Sequence, residues 1–167
     1  MTQYSQEAGL SADTAYELVW SDAMVLGHAP IDAAHEEFVE VVTALGRCTP
    51  ESMLACLAAL DTHLVSHFEL EREWMARTGF PAADCHLDEH QRVLDTVQQV
   101  HSRALAGTIE SPAVKRLAEA LVDWFPGHAT YMDSALSTWI NKKVYGGAPV
   151  VLRRHAVPSE GRADATA

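Results

Sequence analysis

The chain contains four long segments in which apolar residues recur at spacings of three and four, the pattern of helices that bury one face. They run from about Ile31 to Arg47, from Glu51 to Arg77, from Asp84 to just before Gly107, and from Ser111 to about Asn141. No segment alternates polar and apolar residues as a half-buried strand would. Because the connections are only a few residues long, the pattern predicts an all-α fold, an antiparallel up-down-up-down four-helix bundle.

Residues that favour helix ends separate these segments. Gly79 and then Pro81 follow the second segment in the usual stop order. Asp84 is a good N-cap residue for the third, and Ser111 with Pro112 suits the cap and first residue of the fourth. The bundle is therefore predicted to span residues 19–145. Neither end of the chain shows helical periodicity, so residues 1–18 are predicted to be a loose arm and residues 146–167 a mobile tail.

Charge and terminal composition exclude several classes of protein. The formal net charge of −11 argues against a nucleic-acid partner, since such binding depends on clustered Lys and Arg. The sequence has neither the basic start and apolar stretch of a secretory signal nor the ~18 apolar residues of a membrane span. Cys48, Cys56 and Cys85 are odd in number and lack CxxC spacing, which favours buried free thiols. We therefore expect a soluble cytoplasmic protein with no membrane partner; no protein partner is indicated.

Each predicted helix also carries histidine or carboxylate residues on or beside its apolar stripe. In chain order they are His35, His67, Glu71, His86, His90, His128 and Asp133. Burying such groups unpaired costs roughly 1–3 kcal/mol for each polar group and more for each charge. A cationic metal centre would remove this cost, because it uses the lone pairs and neutralises the carboxylates. The pattern therefore predicts a metal site in the bundle core.

The spacing of these residues along each helix supports the predicted metal site more strongly for some of them than for others. The pairs His67/Glu71 and His86/His90 stand four residues apart, which places each pair on one helix face. Asp133 follows His128 by five residues, about 140° round an ideal helix, so we expect the short Asp to reach sideways towards metals between the helices. A single histidine on an apolar face is more often a satisfied core residue, but the same pattern on four successive helices is improbable. The order His-Leu-Asp-Glu-His is not the zinc-protease motif HExxH.

Four segments together resemble the hemerythrins, in particular their bacterial single-domain members. They are 20–35, 67–75, 80–90 and 124–133, and the resemblance extends over about Val19 to Tyr145. It implies two iron ions, one held by His86, His90 and His128 and the other by His35 and His67. It further implies that Glu71 and Asp133 bridge the two ions together with an oxo or hydroxo group, and that O2 binds at the position left open on the second ion.

The resemblance also implies a function and an oxygen pocket. Reversible O2 binding for carriage, storage or delivery is expected, without catalytic residues; the alternatives are a di-iron redox or peroxide-handling enzyme and a sensor of O2, nitric oxide or redox state. The predicted pocket residues are Phe68, Trp124, Phe125 and Ala129. The family commonly has Leu and Ile where this chain has Phe125 and Ala129. Either the core has repacked around this exchange, or the access route to the metals has changed shape.

Four histidines fall outside the predicted metal set. His63, where the family commonly has Tyr, is interpreted as a polar residue at the rim rather than as a hydrogen-bond donor behind the ligands. His28, His101 and His155 are assigned no metal.

Overall fold

The computed structural model describes residues 18–147, and these residues form helices and connecting turns without a β-strand. The helices are α1 (Ala29–Gly46), α2 (Met53–Thr78), α3 (Ala83–Leu105), α4 (Ser111–His128) and α5 (Ser134–Val144), preceded by a short 3-10 helix at Asp22–Met24. A π-helical turn, Ala129–Asp133, joins α4 to α5, so these two form the fourth rod of the bundle. The predicted four-helix bundle is confirmed.

The predicted helix ends are correct to within about three residues, and two predicted caps were wrong. Ser111 is the first residue of α4 rather than its cap, a position that Glu110 holds. Gly79 ends α2 in the left-handed conformation, with φ of 62°, as its position before Pro81 predicted. Asp84 does not cap α3; Ala82 holds that position, and Asp84 lies in the first turn, where its charge faces the positive end of the helix dipole. The predicted arm and tail lie outside the described residues, except for Leu18, which is buried in the core, and Gly146 and Gly147.

The bundle core consists of two apolar clusters separated by a polar layer. The larger cluster includes Phe38, Leu64 and Leu121, and the smaller one consists of Ile31, Met75, Leu136 and Ile140. α1 packs against α2 and α4, while α2 also packs against α3 and α5. On α1 and α2, histidine or carboxylate residues stand between the members of the two clusters. The hydrophobic packing on both sides therefore fixes the height of the polar layer.

The three cysteines are free, and only Cys48 is buried as the sequence interpretation held. Cys56 is partly buried and Cys85 is exposed, so the interpretation was wrong for Cys85. Cys85 directly precedes His86 on α3, and adjacent residues point about 100° apart on a helix. Since His86 faces the core, Cys85 faces solvent. None of the helices within residues 18–147 is both long and apolar enough to span a membrane.

Asp32 fixes the segment that leads into α1. Its two carboxylate oxygens accept hydrogen bonds from the backbone N–H groups of Leu26 and Gly27, at 2.7 and 3.0 Å. We expect Asp32→Ala to lower the free energy of unfolding of the metal-free protein by about 1–3 kcal/mol, because it leaves two partly buried donors without this acceptor. Urea denaturation measures the change, with Glu36→Ala, an exposed position one turn later, as the control. Equal stability of the two variants would contradict this role.

Candidate metal centre

The seven side chains predicted as ligands lie together in the polar layer. All are buried, with between 0 and 6% of each residue exposed. α1 contributes His35, α2 contributes His67 and Glu71, α3 contributes His86 and His90, and the fourth rod contributes His128 and Asp133. The structure thus brings every predicted ligand to one level of the bundle. Whether they bind metal stays a prediction.

A π-helical turn allows His128 and Asp133, five residues apart, to face the same polar layer. The N–H group of Ser134 donates to the carbonyl of Ala129, five residues earlier, which is the π-helical pattern. A π-helical turn takes more residues per turn than an α-helix, so the five-residue step from His128 to Asp133 ends nearer the same face of the rod. Asp133 Oδ1 lies 3.2 Å from His128 Nε2. The expected sideways reach of Asp133 was therefore wrong, because the backbone changes pitch instead.

Glu71 directs its two oxygens at different groups of histidines. Oε1 lies 3.0 Å from Nε2 of His67 and 3.9 Å from Nε2 of His35. Oε2 lies 3.2 Å from Nε2 of His86 and 3.5 Å from Nε2 of His90. One carboxylate therefore faces a two-histidine group on one side and the histidines of α3 on the other.

Asp133 repeats this division from the opposite rod. Its Oδ2 lies 3.1 Å from His35 Nε2, and its Oδ1 lies 3.0 Å from His86 Nε2. His128 Nε2 completes the second group, 2.9 Å from His90 Nε2 and 3.2 Å from His86 Nε2. Both carboxylates thus span the space between a two-histidine and a three-histidine group.

The donor atoms of this layer fit two metal ions. Potential ligand atoms cluster in two sets: the first contains Glu71, His86, His90, His128 and Asp133, and the second contains His35, His67 and Glu71. Several of these atoms are buried without a hydrogen-bond partner, including His35 Nε2, Glu71 Oε2 and both oxygens of Asp133. Leaving such atoms unpaired is costly, and a cation between them would use their lone pairs. Imidazole nitrogen and carboxylate oxygen are ligands that suit iron.

Electrostatics within the layer hold its carboxylates ionised. Burial and the neighbouring Asp133 charge raise the pKa of Glu71, but the hydrogen bond with His67 and the close Nε2 atom of His86 outweigh them and lower it to about 2. Burial also raises the pKa of Asp133, but the Nε2 atoms of His128, His35 and His86, at 3.2, 3.1 and 3.0 Å from its oxygens, bring it well below its ordinary value. Both groups are therefore negative at neutral pH, as metal ligands must be.

Two histidines of α3 differ in protonation. Burial lowers the pKa of His86, but the carboxylates of Asp133 and Glu71, at 3.0 and 3.2 Å from its Nε2, raise it to about 9. Burial lowers the pKa of His90 to about 3, so this ring stays neutral. A protonated His86 thus partly compensates the two carboxylates in the absence of metal. A bound metal ion would replace that proton as the positive charge beside the two carboxylates.

The predicted pocket residues occupy two different sides of the layer. Phe68 stacks on His90 at 3.8 Å between ring centroids, and Trp124 stacks on His128 at 4.4 Å. These two rings therefore cover the three-histidine group. Phe125 instead meets His35 of the two-histidine group in a T-shaped contact at 5.0 Å. Ala129 is buried in the larger apolar cluster, directly after His128.

The exchange to Phe125 is accommodated in the core. Its ring is 1% exposed and stacks on Phe38 at 4.5 Å, with an interplanar angle of 25°. Pro126 and Gly127, which follow it, are exposed on the outer face of α4. The unusual residues of this segment are thus divided between a packed core position and the surface.

His63 is buried, so its interpretation as a rim residue was wrong. Only 4% of its side chain is exposed, and its Nδ1 lies 3.3 Å from Oε2 of Glu37 on α1. Its ring contacts His67 at 5.4 Å between centroids, one turn away on α2. The partnership with Glu37 depends on how α1 and α2 pack, which spacing within α2 does not reveal. His28 is also buried and meets Trp74 at 4.8 Å, outside both sets of potential ligands.

Comparisons with known proteins agree with this fold and site. A family model described as Hemerythrin HHE cation binding domain matches residues 26–140. A bacteriohemerythrin of Ralstonia nicotianae is 33% identical over 124 residues, covering 74% of this chain and 89% of that protein. A bacteriohemerythrin of Stenotrophomonas maltophilia is 26% identical over 122 residues, covering 71% and 78%. The crystal structure of a wild-type hemerythrin gives a TM-score of 0.68 at 20% identity, covering 74% of this chain and 97% of that one.

A four-helix bundle with a buried layer of histidines and two carboxylates between them fits the class of non-haem dinuclear metal proteins. The chain belongs to the hemerythrin family, as the matched family model and the first relative show. The resemblance recognised in the sequence is thereby confirmed. Family membership supports O2 binding at a di-iron centre in general terms.

Proposed function

We propose that this protein binds O2 reversibly at a di-iron centre and serves in oxygen carriage, storage or delivery rather than in catalysis. The observation that carries the proposal is the division of both carboxylates, Glu71 and Asp133, between a two-histidine and a three-histidine group. This arrangement suits two metal ions of unequal coordination. The three free thiols fit a reducing compartment, so we propose the cytoplasm as its location.

The number of proposed ligands on each side supports an oxygen site on the two-histidine side. His86, His90 and His128 with one oxygen from each carboxylate would give the first iron five ligands, and a bridging oxo or hydroxo group a sixth. His35 and His67 with the remaining carboxylate oxygens and the same bridge would give the second iron five. The two-histidine side therefore has room for one more ligand. Two ferrous ions, when bound, supply the electrons that O2 takes up and returns.

The protein's own residues protect this chemistry from water. Phe125 contacts His35 on the two-histidine side, and apolar clusters lie on both sides of the layer. A dry site disfavours the entry of the water and protons that would turn reversible binding into one-way oxidation. On the other side, Phe68 and Trp124 hold the imidazole planes of His90 and His128 in place by stacking. We propose that Phe125 and Ala129 form the wall of the oxygen pocket.

Repeated oxygenation and deoxygenation of the iron-loaded protein tests this function. An absorption band that appears with O2, disappears under vacuum and returns at similar height in each cycle is the expected result. A redox or peroxide-handling enzyme would instead convert the centre to its ferric form in the first cycles. Loss of the band after one exposure to air would therefore overturn the carrier proposal.

Two histidines on α2 provide a matched test of the ligand assignment. We expect His67→Ala to lose the iron on the two-histidine side, because it removes one of that ion's two imidazoles. His63→Ala should keep both ions, since His63 belongs to neither set of potential ligands. Iron content per folded chain measures both effects. Equal iron loss in the two variants would show that the ligand has been chosen wrongly.

A further inference from the structure

One partly exposed aromatic residue is stacked directly on a proposed iron ligand. The indole of Trp124 lies 4.4 Å from the imidazole of His128, centroid to centroid, with an interplanar angle of 27°. Its Nε1–H donates a hydrogen bond of 3.0 Å to Glu89 on α3, whose side chain is 25% exposed. The indole therefore extends from the partly exposed Glu89 to a ligand in the buried layer, and the hydrogen bond fixes its orientation.

No other aromatic residue between 18 and 147 is both partly exposed and stacked on a proposed iron ligand. Phe68 and Phe125 contact proposed ligands but are buried. Trp20 and Phe80 are partly exposed, but each meets its histidine edge-on at 6.4 Å. Electron transfer through protein is fastest where conjugated rings are in contact and saturated gaps are short. Trp124 and His128 provide such a contact.

We propose that Trp124 is the entry point for electrons that return the oxidised centre to its ferrous state. The inference rests on the proposed di-iron function, because a carrier whose irons become ferric must be reduced before it binds O2 again. An external one-electron donor would pass each electron through the indole and the His128 imidazole. Each donor loses one electron and each ferric ion gains one, so two donor molecules restore one centre. No bond in either ring forms or breaks.

The surface charge indicates the kind of donor. The chain carries a formal net charge of −11. Near the indole, Glu89 is paired with Arg92, and the sequence neighbours Asp88 and Asp123 are exposed. A donor protein with a positively charged face would be attracted to this surface and steered towards it.

A photoexcited cationic donor tests the inference. Tris(bipyridine)ruthenium(II) is luminescent, positively charged and too large to enter the bundle. A sacrificial amine that reduces the Ru(III) formed keeps the electron on the protein. Iron-loaded ferric protein should then shorten the emission lifetime and become ferrous, whereas protein loaded with redox-inert zinc should do neither. We expect Trp124→Leu to slow reduction of the ferric centre by about tenfold or more, equal to a rise of about 1.4 kcal/mol in the barrier. Trp20→Leu is the matched control and should be reduced at the wild-type rate.

The outcomes separate this inference from the proposed function. A wild-type chain that takes up no iron would overturn both. An iron-loaded Trp124→Leu variant reduced as fast as wild type, or slowed no more than Trp20→Leu, would overturn the electron route alone. If Trp124→Leu does not retain iron, Trp124→Phe decides, because it keeps a ring on His128 but shortens its reach to the surface. It should be slower than Trp20→Phe, and equal rates would overturn the route.

Discussion

Replacing Glu71 with Gln is expected to weaken the binding of both metal ions by more than about 100-fold. This exceeds the loss of about 10–100-fold that is usual when a residue hydrogen-bonded to a metal ligand is replaced. Glu71 offers one oxygen to each histidine group, and both oxygens are buried in the layer. The amide keeps the shape of the side chain but loses its negative charge and one of the two acceptors. Both ions should therefore be affected, rather than one.

Glu69→Gln is the matched control for this substitution. Glu69 lies two residues earlier on α2, is 47% exposed and pairs with Arg72. Iron content after anaerobic loading measures the effect, with circular dichroism of the metal-free proteins to establish that both variants fold. A folded Glu71→Gln variant that still binds two ions as tightly as wild type would contradict the bridging role.

Metal binding is expected to raise the melting temperature of the protein by about 8–16 °C for each ion. A ligand present at a thousand times its Kd stabilises the native state by about 4 kcal/mol. In a domain of this size, 1 kcal/mol shifts the midpoint by about 2–4 °C. The physical source is the buried layer itself, where several nitrogen and oxygen atoms have no hydrogen-bond partner in the metal-free fold.

Thermal unfolding with zinc measures this shift without oxidation chemistry. Adding a chelator should return the melting temperature to its starting value, and Glu71→Gln should show little response to zinc. A shift below about 3 °C at full occupancy, or an equal shift in Glu71→Gln, would mean that the layer is not the site where metal stabilises the fold.

The sequence predicted the fold and the members of the polar layer because both depend on spacing within single helices. His67 and Glu71 four residues apart must share a face, and so must His86 and His90. The assignment of each histidine to one metal came from the family resemblance, since it depends on how helices face each other. The structure places the two groups of histidines around the two oxygens of Glu71.

Other features could not be predicted because they arise from packing or from a change in backbone pitch. The π-helical turn was missed, although the five-residue spacing between His128 and Asp133 was its signal. His63 was placed at the rim because its contact with Glu37 joins different helices. The contact of Phe125 with Phe38 and His35 likewise depends on the approach of α4 to α1.

The central claim is that two iron ions lie in this layer, divided between the two histidine groups. Anomalous diffraction at the iron edge from crystals of the iron-loaded protein tests it most directly. We predict two peaks, one bound by His35 and His67 and the other by His86, His90 and His128, with Glu71 and Asp133 contacting both. A single peak, or two peaks with either carboxylate bound to only one ion, would contradict the account.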